Sequence, residues 1–202
     1  MDNQQATKAE LGWLAGIIDG EGYLGMSVEA EHNYREGHQT RQHSIKIEIK
    51  VTNCDPAIVV RTAEIMQKLG VNPYIRQPAM PKNTNHNVYF EASIKRMAPV
   101  KRILDAVLPY LVGSKLERAS IILQFIQLRT DNPGVANPAY ADNAKGRRGP
   151  RTIKPYSEVE LALADRCRAL QSRKGASETT RATGAATLQT MKDRMARLRE
   201  TS

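Results

Sequence analysis

Few residues in this 202-residue chain have types and spacing that could do chemistry unaided. Cys54 and Cys167 lack CxxC spacing, which argues against a disulfide scaffold and against a structural zinc site. His32, His38, His43 and His86 lie in or beside polar stretches without the spacing of metal ligands. Asp19 and Glu21 stand among glycines in the run Leu14-Ala15-Gly16-Ile17-Ile18-Asp19-Gly20-Glu21-Gly22. Taken alone, such carboxylates read as turn or cap residues. The run Lys145-Gly146-Arg147-Arg148-Gly149-Pro150-Arg151 is dense enough in positive charge to grip phosphates.

The charge distribution sharpens the choice of partner. The chain is 41% hydrophobic and carries a formal net charge of +9. Residues 1–144 hold 16 Lys and Arg against 15 Asp and Glu, whereas residues 145–202 hold 14 against 6. Such asymmetry favours a polyanion, nucleic acid before an anionic membrane surface. No apolar run reaches the ~18 residues that cross a bilayer. The polar start, MDNQQATKAE, does not read as a secretory signal.

The elements that must position these groups follow from hydrophobic periodicity. Leu11, Leu14, Ala15 and Ile18 share one helical face over Glu10 to Asp19, and Gly20-Glu21-Gly22 turns the chain. From Tyr23 the period becomes two, with Leu24, Met26 and Val28 on one face and Tyr23, Gly25, Ser27, Glu29 and Glu31 on the other. A second strand from about His43 to Thr52 alternates Ile45, Ile47, Ile49 and Val51 with Ser44, Lys46, Glu48, Lys50 and Thr52. A helix from Pro56 to Leu69 follows, ended by Gly70, then strands Val71–Arg76 and Asn87–Lys95. Val88, Phe90, Ala92 and Ile94 face inward in the latter, and Tyr89, Glu91, Ser93 and Lys95 outward. Helices over Met97–Leu108 and Leu116–Arg129 complete an α+β unit, an antiparallel sheet with helices on one face. Residues 1–129 are expected to form this core, 130–157 a Pro/Gly/basic connector without regular structure, and 158–202 a basic helical extension. Helices are expected over Glu158–Gln171 and Ala185–Leu198.

The nine residues Leu14 to Gly22 resemble the signature of the LAGLIDADG homing endonucleases, with Asp19 and Glu21 at its two acidic positions. The element order is similar to that family's αββαββα domain with a saddle-shaped sheet. Pro109-Tyr110-Leu111, followed by Lys115 at the start of an apolar helix, resembles its recurrent segment after the second strand pair. Ser172-Arg173-Lys174 and Ser177-Glu178-Thr179 resemble the basic loop and final helices of the small homodimeric branch.

The resemblance implies that two copies pack their first helices across a two-fold axis, with Gly12, Ala15, Gly16 and Gly20 allowing close approach and Asp19 bonding near the axis. It implies that Glu21, with the Gly20 carbonyl, holds Mg²⁺, for which Mn²⁺ substitutes. Lys115 then stabilises charge at the phosphate, and Asn53, where the small homodimeric branch commonly has glutamine, positions water. A two-stranded ribbon suits the DNA major groove. Candidate contacts are Tyr23, Ser27, Glu29, Glu31, Arg41, His43, Lys46, Glu48, Lys50, Arg76, Tyr89 and Glu91, with Arg173, Lys174 and the 145–151 run on phosphates.

The expected function is therefore metal-dependent, site-specific cleavage of double-stranded DNA by an intron-encoded homodimer on a long pseudo-palindromic site. It would act inside the cell, in the cytoplasm or an organelle. Alternatives on the same fold are a maturase binding its host intron RNA and a DNA-binding regulator that does not cleave.

Overall fold

The structure is a computed structural model that describes residues 5–32, 41–77, 88–136 and 152–171, with backbone alone at 29–32, 41–43 and 152. The first helix, α1 (Lys8–Gly20), begins at Thr7 with a reciprocal cap. Thr7 Oγ1 accepts from the Glu10 amide at 3.2 Å, and the Thr7 amide donates to Glu10 Oε2 at 3.0 Å. Leu14, Ala15 and Ile18 face the core. Strands β1 (Gly22–His32) and β2 (Arg41–Asn53) follow, then α2 (Pro56–Lys68), β3 (Tyr74–Arg76) and β4 (Phe90–Ile94). Helices α3 (Met97–Val107) and α4 (Gly113–Asp131) flank a 3₁₀ turn at Leu108–Tyr110.

The four strands form one antiparallel sheet in the order β1-β2-β4-β3. The β1–β2 ladder runs without a bulge from Gly22↔Val51 to His32↔Arg41. Leu24, Met26, Ile45, Ile47, Ile49 and Val51 form its buried face. Ile65 and Met66 of α2, Ile103 and Leu104 of α3, and Ile122 and Phe125 of α4 complete the core. This is the expected α+β architecture, and the helix and strand order agrees with the periodicity.

The departures have local causes. The third strand is confined to Tyr74–Arg76 because Pro73 has no N–H to give a ladder. The fourth spans only Phe90–Ile94 among the described residues, so Tyr89 lies just before it. Inside the stretch read as an irregular connector, β5 (Val135–Ala136) and β6 (Thr152–Ile153) pair as a small ribbon. Arg129 holds that ribbon's exit through Lys154 O at 2.9 Å and Pro155 O at 3.1 Å. Helix α5 (Glu158–Gln171) then starts with a second reciprocal cap between Ser157 and buried Glu160, which also accepts from Arg129 at 3.3 Å.

Tyr156 shows what this segment does for the sheet. Strand β4 pairs with β2 only from Ile49 to Asn53, leaving that edge of β2 open further back. The Ile45 amide donates instead to the Tyr156 hydroxyl at 3.1 Å, while the ring stacks on Phe125 and lies under the Arg129 guanidinium. The described chain up to Arg168 belongs to one compact unit, and a second begins at Ala169. The helix expected over Ala185–Leu198 lies outside the described residues. Among the described residues, no helix is long and apolar enough to cross a membrane.

Glu10 also joins α1 to α2. Its Oε1 accepts from Lys68 at 2.7 Å and Arg61 at 2.8 Å. The Lys68 hydrogen bond, then the Thr7 amide, lowers its pKa to about 2 from the ordinary carboxylate value. A carboxylate depressed by folding stabilises the fold fully above its unfolded pKa and ceases to do so as pH falls through its folded pKa. Glu10→Gln should therefore lower thermal stability at pH 7 and flatten the loss of stability between pH ~5 and ~2. Thermal melts of both proteins across that range check this.

Candidate functional site

The last turn of α1, the Glu21 corner and the start of β1 form one tight unit. The Glu21 amide caps α1 by donating to Ile17 O at 2.9 Å, and its carboxylate-bearing side chain is exposed. A Cβ on Gly22 would stand 2.7 Å from the Ile18 Cα and carbonyl oxygen. Only glycine lets the strand leave so close under the helix. Gly22→Ala should therefore cost about 1–3 kcal/mol of folding stability by overpacking against backbone. Urea denaturation measures it.

The N-terminal end of α4 closes on this corner. The Val112 amide donates to Asp19 Oδ2 at 3.1 Å. Half-buried Lys115 donates through Nζ to Ile18 O at 2.8 Å and also to Gly22 O. These two carbonyls bracket Glu21. Burial, with the Arg118 charge adding to it, pushes the Lys115 pKa below the ordinary lysine range, and Asp19 opposes that shift. Arg118, which the sequence reading did not single out, is 8% exposed. It donates to Leu24 O at 3.1 Å, Ser114 O at 3.2 Å and Ser114 Oγ at 3.3 Å. Nothing in its sequence context separates it from a surface arginine.

One side of α1 is left open. A Cβ on Gly16 or Gly20 would meet nothing within 4 Å, whereas one on Gly12 would touch the Tyr110 ring at 4.0 Å. Trp13, Tyr110, Leu116 and Val112, the last 66% exposed, are exposed apolar residues on α1 and the adjoining 110–116 segment. Asp19 Oδ1 is buried and has no hydrogen-bond partner among the described residues. Ala15 corrects the expectation for this face. It is 0% exposed, because it shares the Leu11-Leu14-Ile18 side of the helix and packs into its own core.

Asn53 ends β2, and its Oδ1 accepts from the Asp55 amide at 2.8 Å, shaping the turn into α2. Among the described residues no three His, Cys, Asp or Glu side chains gather as a metal cluster; at the corner the exposed carboxylate is Glu21, while Asp19 is turned to the Val112 amide. The Glu21 carboxylate and the backbone carbonyls beside it are hard oxygen donors of the kind Mg²⁺ accepts.

The outward face of the sheet is charged and internally tied. Tyr23 lies opposite Lys50, whose Nζ sits 5.6 Å from its ring centre. Ser27 lies opposite Lys46, and Lys95 Nζ pairs with Glu48 at 3.3 Å. Glu91, expected outward and accessible, is 3% exposed. It sits on a strand flanked on both sides, and Arg76 covers it with two bonds, Nε–Oε1 at 3.1 Å and Nη2–Oε2 at 3.3 Å, with Lys50 at 3.9 Å. Arg76 itself remains exposed, and Tyr89 is half-buried.

The unbroken ladder also gives the backbone register of four further candidates. Arg41 and His43 fall in step with Ile45 and Ile47, opposite His32 and Ala30, not in step with Lys46 and Lys50. Glu29 and Glu31 keep the register of Tyr23 and Ser27. Arg173, Lys174 and the 145–151 run lie outside the described residues.

No protein-family model matches the sequence, and no curated protein matches it. Solved structures do. The homing endonuclease I-CvuI, in complex with its target in the presence of calcium, aligns with a TM-score of 0.51 at 18% identity, covering 80% of this chain and 82% of that one. The group I intron-encoded homing endonuclease I-CeuI, complexed with DNA, aligns at 0.48 and 19% identity over 65% of this chain and 60% of that one. The α+β domain described above thus has the fold of the LAGLIDADG homing endonucleases. The nine-residue run that resembles their signature occupies α1 and its corner, from Leu14 to Gly22.

Proposed function

We propose that the chain is a site-specific DNA endonuclease of homing type that works as a homodimer. The observation that carries this reading is Glu21, exposed at the foot of a helix whose Gly16 and Gly20 side stands open, with Lys115 held beside it. Two copies meeting along that side would bring two Glu21 carboxylates together at two partially negative helix ends. Such a pair would repel unless cations lay between them. The shared fold with I-CvuI, a homing endonuclease in complex with its target, supports DNA as the partner.

Each copy would offer Mg²⁺ the Glu21 carboxylate and the Gly20 carbonyl, with Mn²⁺ able to replace it. When bound, the ion supplies an activated water and neutralises charge at the leaving 3′-oxygen. Lys115 has three donors, and Ile18 and Gly22 take two. The third serves a phosphate oxygen, with the ammonium already desolvated and fixed. The Asn53 amide nitrogen orients water while its oxygen keeps the turn to Asp55.

Outward residues of the β1–β2 ribbon, Tyr23, Ser27, Lys46, Glu48 and Lys50, with Arg76 of β3, would read base edges or backbone in the major groove. Glu29 and Glu31 extend that register towards the end of the ribbon. Arg173, Lys174 and the basic 145–151 run would add sequence-independent, salt-sensitive affinity.

With a site selected from a randomised duplex library, the wild-type chain should cut in Mg²⁺ and bind without cutting in Ca²⁺. Glu21→Gln should lower the cleavage rate by about 100-fold or more, the size of loss seen when a key catalytic interaction goes, while keeping Ca²⁺ binding. Undiminished cleavage by Glu21→Gln would refute the metal assignment. Gly16→Arg should turn a sedimenting dimer into a monomer, and a wild-type monomer on DNA would refute the assembly.

A further inference from the structure

Arg118 is a buried charged group that the proposed chemistry does not use. It is 8% exposed, and among the described residues its hydrogen bonds go to oxygens of Ser114 and Leu24, with no carboxylate among them. A charge in that position is costly unless its hydrogen bonds do something the fold needs. Its planar fork spans two elements, α4 through Ser114 and β1 through Leu24. Lys115, three residues earlier on the same helical side, grips Ile18 and Gly22. Together the two cations hold carbonyls at positions 18, 22 and 24, on both sides of the Glu21 corner.

The division of labour follows from the geometry. Lys115 bonds at the corner itself, so its ammonium moves if the gap between α4 and β1 changes. Arg118 sets that gap, because its bonds to Ser114 and Leu24 fix the first turn of α4 against the third residue of the strand. We propose that Arg118 is a positioning residue for Lys115 and Glu21, governing the cleavage step and not DNA affinity. This rests on the endonuclease reading for its consequence and on the hydrogen bonds alone for its geometry.

The test uses the full chain with Arg118→Met and Arg118→Lys, the second keeping the charge and losing the fork. The first readout needs no DNA. The Lys115 Nζ resonance, assigned in ¹⁵N-lysine-labelled protein by its absence from Lys115→Arg, should stand apart from exposed lysines in the wild type. In both variants it should move into their envelope. An unmoved resonance would overturn the positioning role whether or not the chain cleaves DNA.

The second readout applies once the wild type cleaves a selected site. Single-turnover cleavage in Mg²⁺ should fall about 10–100-fold in Arg118→Met, as for loss of outer-shell partners, with Ca²⁺ binding within about threefold of wild type. Arg118→Lys should fall less and bind equally well. Cleavage within about threefold of wild type, or cleavage and binding falling together, would overturn the proposal. A wild type that cuts nothing would refute the endonuclease reading and leave the resonance to decide on Arg118.

Discussion

The structure turns on the grip of α4 on the corner between α1 and β1. Helix α1 must end, the chain must reverse, and β1 must start within three residues, with Gly22 pressed against Ile18. Such a corner exposes carbonyl oxygens at a helix end, where the macrodipole already concentrates negative charge. Lys115, Arg118 and the Val112 amide satisfy that end from the outside, through Ile18, Gly22, Leu24 and Asp19. Cations at a helix C-terminus are electrostatically favourable, and here two of them come from one neighbouring helix. A carboxylate at position 21 therefore sits in a fixed frame with positive charge behind it.

The sheet depends on that corner for its orientation and on two other ties for its rigidity. At one end Glu10 binds α1 to α2 through Lys68 and Arg61. At the far side Tyr156 completes the open edge of β2, with Arg129 joining the β6 exit, the Tyr156 ring and Glu160. The Tyr156 tie serves a strand amide that the ladder leaves unpaired, whereas the Glu10 tie joins side chains of two helices. The outward row from Tyr23 through Lys50 and Glu91 to Arg76 crosses all four strands and limits which of these side chains a ligand can reach.

Much of this was legible from residue types in order. Alternation in Ile45-Ile47-Ile49-Val51 fixed the inward face of β2, and Pro56 marked the start of α2. The glycine-flanked Asp19 and Glu21 located the corner. What escaped the sequence depends on neighbours far along the chain. Arg118 is buried because Leu24 and Ser114 receive it, and no local pattern announces that. Glu91 is outward by alternation yet covered, because β3 and β2 flank it and Arg76 folds over it. Ala15, by contrast, lies in the core as its place on the Leu11-Leu14-Ile18 face already implied, and Gly16, one residue on around the helix, does not. The strand β2 begins at Arg41, before the apolar alternation that starts at Ile45, so its first residues showed no period of their own. The two-residue strands β5 and β6 are too short to show any period.

Two copies joined along the open side of α1 are what would turn one carboxylate per chain into a paired site. The most direct measurement is disulfide trapping of Gly16→Cys in a Cys54→Ala background, since Cys54 is exposed. A bridge requires the two Cα atoms to approach within about 7 Å, which only a close crossing of the two helices at that position provides. Rapid oxidation to a covalent dimer that still binds a selected duplex in Ca²⁺ is the expected result. A chain that stays monomeric under oxidation on DNA, or a trapped dimer that cannot bind it, would contradict the assembly on which the paired site depends.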